Sequence, residues 1–278
     1  MSTVEDDEQD LTRKQRREQA RSERKALEEA EAAGVQRRKR LIQLGSVAGV
    51  VVVIIAIILL ATGGGGGGAK LPPSSGNAKQ VPAVKEVTAL LSGIPQNGNT
   101  LGSPKAPVTM AYFGDLECPI CKDFTLGALP TLIQKYVRTG KLKIEYRNLE
   151  TATREPETFR TQQTAALAAG KQNKGWYYIE LFYHQQGEEN TEYVTEKYLQ
   201  TLAQQVPGLS LASWTSARNE PGVANAITTD AQAANNAGFT GTPSFQIGKT
   251  GGALQKLEYS SLTDPSGFEA AIKKLLKA

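Results

Sequence analysis

"VTMAYFGDLECPICKDF", residues 108–124, decides how this chain is read. Residues 108–113 are a short apolar run bounded by turn signals, the form of a buried strand. The run leads into the only two cysteines of the chain, Cys118 and Cys121, at CxxC spacing. From Pro119 to Arg138 the pattern turns helical, with Phe124, Leu129, Leu132, Ile133 and Val137 on one broad face. Pro119 suits the first helical position, where a missing N–H costs nothing; Pro130 predicts a kink and Gly140 a left-handed stop. "KLKIEYRNL", residues 141–149, alternates as a strand does. Residues 108–149 are therefore predicted to form a βαβ unit with the CxxC at the N-terminus of its helix.

That placement makes the cysteines chemically distinct. At a helix start the unsatisfied N–H groups and the positive end of the dipole stabilise an anion, so the Cys118 thiol loses its proton more readily. Cys121, one turn later, can attack a mixed disulfide formed at Cys118 and is expected to be the less exposed of the two. Other uses of such a pair compete with this one. A structural zinc site needs about four ligands, and the chain offers two thiols and one histidine, His184. A Cu(I)-carrying pair suits soft thiolates. An inert disulfide across so small a loop would constrain little. A redox couple between strand and helix is the reading the context favours, with no metal and no cofactor.

Working outward, residues 41–62, "LIQLGSVAGVVVVIIAIILLAT", carry no charge and as a helix would span about 33 Å, enough for a bilayer core of ~30 Å. This is longer than a signal-peptide core, and 40 residues precede it, so an uncleaved anchor is expected. Arg37 to Arg40, "RRKR", flank it on the N-terminal side, which places residues 1–40 in the cytoplasm and the remainder across the cell membrane. Residues 1–40 read as a charged tail. Residues 63–84, rich in Gly, Pro and Ser, read as a flexible linker, and the catalytic domain as 85–278. Disulfide chemistry belongs in such an extracytoplasmic space. The formal net charge of +4, without a basic patch, argues against nucleic acid.

Within the domain, 87–94 reads as a short helix and 95–107 as loop. Helices are predicted over 157–172, 174–186, 191–206 and 210–218, and another begins at Pro221 and ends at Gly238. Strands follow over 238–248 and near 253–259, then a closing amphipathic helix from 266. Trp176, Tyr177, Tyr178, Phe182, Tyr183 and Trp214 read as core, His184 as a surface residue at a helix end.

The chain resembles the DsbA-like branch of thioredoxin-fold thiol–disulfide oxidoreductases, on D-x-x-C-P-x-C-x-x-F at 115–124 and G-T-P-x-F at 241–245. The resemblance covers about residues 90–278. It implies an α/β thioredoxin fold with an inserted helical domain, about 155–237, preceded here by the membrane helix and linker. It further implies Cys118 as nucleophile and Cys121 as resolving thiol. A cis Pro243 is implied beside them, with Thr242-Pro243 as the substrate-side loop. Pro119 and Ile120 are the redox-tuning pair, Ile120 where strong oxidases often carry histidine. Tyr112 stands where thioredoxins place a buried acid, while Asp115 and Glu117 are nearer carboxylates, each read as a solvated loop residue as readily as a functional one. The expected activity is introduction of disulfides into exported or secreted proteins, with a membrane redox partner resetting the couple. A reductase or isomerase of the same fold is the alternative, the isomerase least favoured because no dimerisation segment is visible; a monomer is expected. A Cu(I)-binding or non-redox binding module is the alternative from another class.

Overall fold

A computed structural model describes residues 83–277. The charged tail, the membrane span and the linker up to residue 82 lie outside the described residues, among which no helix is long and apolar enough to cross a membrane. The first helix, α1 (Val84–Leu91), buries Val84, Val87 and Leu91. It starts three residues before the expected 87, because Val84 shares the spacing of that apolar face. The stretch read as loop instead holds a hairpin, β1 (Gln96–Asn97) and β2 (Thr100–Leu101), turned at Gly98 with a φ of 58°. Two-residue strands are too short to show alternation; only the fully buried Leu101 marks this one.

Strand β3 (Val108–Gly114) is buried at every position, as expected of a central strand covered on both faces. Beyond the cysteines come α2 (Pro119–Leu126), α3 (Ala128–Leu132) and a widened π-type segment, Ile133–Val137. The predicted helix of 119–138 is thus broken, and the break lies at Gly127 rather than at Pro130. Pro130 has no N–H for the Leu126 carbonyl, and its ring would crowd that carbonyl. The helix restarts so that Pro130 falls in the first turn of α3, where no N–H is needed. A Cβ at Gly127 would stand 2.5 Å from the Asp123 carbonyl oxygen and 2.7 Å from Thr263 Cα, so glycine lets the 262–263 loop dock on the break.

Strand β4 (Leu142–Asn148) runs parallel to β3, with Met110 opposite Ile144 and Tyr112 opposite Tyr146. Five helices follow: α4 (Pro156–Gly170), α5 (Gly175–Gln185), α6 (Glu196–Gln205), α7 (Leu211–Ala217) and α8 (Pro221–Asn236). The chain then returns to the sheet as β5 (Ser244–Lys249), antiparallel to β3, and β6 (Gln255–Lys256), and closes with α9 (Ser266–Lys277). Both strands are shorter than the apolar runs suggested. The sheet order β1-β2-β4-β3-β5-β6 puts the strand that delivers the CxxC at the centre.

The helices are fastened to this sheet by polar contacts that apolar patterning does not reveal. Trp176 and Trp214, both fully buried, donate their indole N–H groups to the carbonyls of Asn99 and Ala165, each at 2.8 Å. Asp230 of α8 accepts from the Asn148 backbone N–H at 3.0 Å and its side-chain amide at 2.6 Å. Arg147 completes that joint at 3.2 Å. His184 is half-buried rather than a surface residue, at the end of a helix whose residues 175–183 are all buried.

Glu180, on α5, is fully buried, and neither carboxylate oxygen has a hydrogen-bond partner among the described residues. Burial first, and then the charge of Glu86 on α1, push its pKa up to about 8. With the folded pKa above the unfolded one, the folded state is progressively destabilised as pH rises from about 4.5 to about 8. Glu180→Gln should abolish that slope and add about 1–3 kcal/mol of stability at pH 7. Urea unfolding at pH 5 and pH 8 measures both effects; equal slopes in the two proteins would contradict the account.

Candidate active site

Cys118 is the N-cap of α2, with φ −69° and ψ 116°, and its sulfur accepts the Cys121 backbone N–H at 3.3 Å. Sulfur thus fills the acceptor role that serine or aspartate oxygen takes at other helix starts. Pro119 takes the first helical position. Both cysteines are free thiols; Cys121 is completely buried and Cys118 retains 4% exposure. The expected asymmetry of exposure is present.

Electrostatics separates the two sulfurs further. The Cys121 thiol, donating to the Cys118 sulfur, is the main influence that lowers the Cys118 pKa to about 7. Burial opposes it, while the Thr242 hydroxyl and the backbone N–H groups of Cys121 and Ile120 add to the lowering. Burial, followed by the proximity of Cys118, pushes the Cys121 thiol well up. One sulfur is about half thiolate at neutral pH and the other stays protonated, so a nucleophile and a proton-holding neighbour lie within one helical turn.

The Thr242-Pro243 bond is cis. The Thr242 carbonyl lies 3.5 Å from the Cys118 sulfur, which donates to it as a thiol. Of the residues expected at the site, Cys118, Cys121, Pro119, Ile120, Thr242 and Pro243 therefore gather at one place. Ile120 is 48% exposed beside the cysteines.

Of the two readings open for the loop carboxylates, burial removes the solvated one: Asp115 is fully buried and Glu117 is 2% exposed. Asp115 accepts the backbone N–H groups of Thr151, Ala152 and Thr153 at 2.9–3.1 Å on one oxygen. Its other oxygen takes Glu117 N–H, the Thr153 hydroxyl and Gln162 Nε2 at 2.6–3.2 Å. The carboxylate ties the CxxC approach to the loop after β4 and to the first inserted helix. Glu117 accepts from Asn190 N–H at 3.3 Å, and burial raises its pKa.

Beneath the cysteines, Tyr112 does not replace the thioredoxin acid with another charge. Its hydroxyl donates to that of Tyr183 at 3.2 Å, Tyr183 donates to the Asp115 carbonyl at 3.1 Å, and Tyr146 lies 3.4 Å from Tyr183. Burial, and next the nearby Cys121, raise the Tyr112 pKa, so this cluster stays neutral. Gln186, just past α5, donates to the carbonyls of Leu116 and Cys118 at 2.7 and 3.0 Å. Gln186, Thr151 and the side-chain partners of Asp115 on residues 151–162 are absent from the sequence reading. They are common polar residues far from the cysteines in sequence, without a motif to single them out.

Comparison with known proteins places this geometry. A family model, Thioredoxin_4, described as Thioredoxin, matches residues 96–273. The chain belongs to this thioredoxin family. A probable disulfide bond formation protein D of Bacillus cereus is 24% identical over 181 residues, 64% of this chain and 78% of the relative. Disulfide bond formation protein D of Bacillus subtilis is 30% identical over 108 residues, 37% of this chain and 46% of the relative. Among solved structures, oxidised BdbD of Bacillus subtilis superposes with a TM-score of 0.55 at 22% identity, covering 68% of this chain and 98% of that one. Alpha-DsbA1 of Wolbachia pipientis gives 0.52 at 21% identity, covering 67% and 92%. These likenesses show the thioredoxin fold with its helical content. The enzyme class is thiol–disulfide oxidoreductase.

Ile120 offers no side-chain donor to the Cys118 sulfur, whereas an imidazole would. Ile120→His should lower the Cys118 pKa from about 7 by about one unit, a tenfold gain in acidity. Thiolate absorbance against pH reads it directly; an unchanged midpoint would show that the residue between the cysteines has no hold on the sulfur.

Proposed function

We propose that this protein is a membrane-anchored thiol–disulfide oxidoreductase acting outside the cytoplasm to introduce disulfides into exported proteins. The observation that carries the reading is the unequal pair: Cys118 lowered to about 7 beside a Cys121 held protonated by burial. In the oxidised protein a substrate thiolate attacks the Cys118 sulfur, the Cys118–Cys121 bond breaks, and Cys121 leaves as a thiolate that takes up a proton. A second substrate thiolate then attacks the substrate sulfur of the mixed disulfide and expels Cys118 as a thiolate. The substrate gains a disulfide and the protein two electrons. A membrane redox partner then removes the electrons. Thr242-Pro243, against Cys118, is the surface on which an extended substrate chain would lie.

In the same proposal residues 1–40 are cytoplasmic, 41–62 span the membrane, 63–84 tether the domain of 85–278, and the protein is a monomer. The apolar run, the arginines before it and the glycines after it support that topology, and the relatives named for disulfide bond formation support the direction.

A second reading has its own support. A Cys118 pKa of about 7 matches thioredoxin, whereas the most oxidising CxxC helices reach ~3.5. Since 30 mV is about 1.4 kcal/mol for this couple, small differences around Cys118 would make the protein a reductase. The Cu(I) alternative needs both sulfurs as thiolates, which the burial of Cys121 opposes.

With Cys118 as nucleophile and Cys121 as resolving thiol, Cys121→Ser should accumulate mixed disulfides with exported proteins, at least tenfold more than Cys118→Ser. Non-reducing gels and mass spectrometry of trapped species count them. Equal trapping by both variants would contradict the assignment of roles.

A further inference from the structure

Thr242 faces the redox centre with its backbone. Its carbonyl lies 3.5 Å from the Cys118 sulfur, and its N–H has no hydrogen-bond partner among the described residues. Its side chain is engaged elsewhere, with Oγ1 2.5 Å from Thr151 Oγ1. The backbone edge that an extended substrate chain would meet is therefore open, and its direction is set by the residues that follow it. We propose that Tyr259 is a positioning residue of the substrate-side loop: its hydroxyl donates to the Pro243 carbonyl at 3.0 Å and holds the Thr242 backbone at the angle that edge presents.

Ser244 is anchored in the sheet, paired with Phe113 of β3. Between it and Thr242 the chain can turn only at Pro243, whose soft torsions are φ and ψ. The proline ring locks φ near about −65°. Rotation about ψ swings the Pro243 carbonyl, so a donor fixed on that carbonyl fixes the remaining torsion and with it the direction of Thr242. Tyr259 is such a donor because packing places it. Its ring stacks on Phe268 of α9, with centroids 5.6 Å apart, and meets Phe245 of β5 edge-on at 5.3 Å. Just before it, the Leu257 N–H donates to the Phe245 carbonyl at 2.9 Å. Burial raises the Tyr259 pKa, so the hydroxyl keeps its proton to donate. Ser244 Oγ, donating to the Gly241 carbonyl at 2.7 Å, steadies the same loop from its other side, so loss of the Tyr259 hydroxyl loosens the edge without releasing it.

The inference rests on Thr242-Pro243 being the substrate surface, and its test separates the two. Tyr259→Phe removes the hydroxyl and keeps the ring between Phe245 and Phe268. The oxidised full-length chain, unaltered and Tyr259→Phe, is reacted with an unstructured peptide carrying two cysteines and with dithiothreitol, a dithiol without a peptide backbone. Second-order rates per thiolate are compared. Tyr259→Phe should slow the peptide by about two- to tenfold, the size of one neutral hydrogen bond, and leave the dithiothreitol rate unchanged. Equal peptide rates in the two proteins, or peptide and dithiothreitol slowed by the same factor, would overturn the role of Tyr259. An unaltered protein that reacts with the peptide no faster than with dithiothreitol would overturn Thr242-Pro243 as the substrate surface, and the inference with it.

Discussion

The redox centre depends on the backbone N–H of Cys121 donating to the sulfur of Cys118, 3.3 Å away across the first turn of α2. A helix start leaves N–H groups without partners, and here a sulfur supplies the acceptor. Stabilisation of the helix and stabilisation of the thiolate are therefore the same contact. Because α2 must pack Phe124 and Thr125 into the core, the turn that carries this contact is fixed by burial elsewhere. Phe124 meets Tyr112, Phe245 and Phe268 with ring centroids 4.6–5.2 Å apart, so strands β3 and β5 and helix α9 all hold the helix in place.

Three loops then have to meet over that helix start. Asp115 grips the loop after β4, Gln186 ties the end of α5 to the Leu116 and Cys118 carbonyls, and Thr242 approaches the sulfur from the entrance to β5. The inserted helices thus do more than cover the sheet, since α5 contributes both Tyr183 beneath the cysteines and the turn that clamps them. The tyrosine cluster keeps the space below Cys121 polar without adding a charge, consistent with a Cys121 thiol that keeps its proton.

The βαβ unit, the inserted helices and the return to the sheet were legible because each rests on local signals. Strand β4 alternates cleanly, Pro119 and Pro221 mark helix starts, and the CxxC sits where the period changes. The Thr242-Pro243 loop was legible only through its resemblance to a family. What escaped has physical reasons. The β1–β2 hairpin is held by pairing to β4, a non-local contact that two-residue strands cannot announce. The helix break moved to Gly127 because proline acts on the carbonyl four residues before it and on the turn it can tolerate. Asp115 and Glu117 read as solvated as readily as functional because polar loop residues are usually exposed; only the fold supplies the donors that let a carboxylate be buried. Thr151 lies 91 residues from its partner Thr242, beyond the reach of any local pattern.

The account's central claim is the inequality of two sulfurs one helical turn apart. Alkylation of the reduced full-length chain with iodoacetamide across pH 5–9, with each cysteine quantified by peptide mass spectrometry, measures it most directly. The account predicts that Cys118 reacts with a midpoint near pH 7, while Cys121 stays unmodified until the protein is unfolded. Comparable labelling of both cysteines in the folded protein, or a Cys118 midpoint near the free-thiol value of about 8.5, would contradict it.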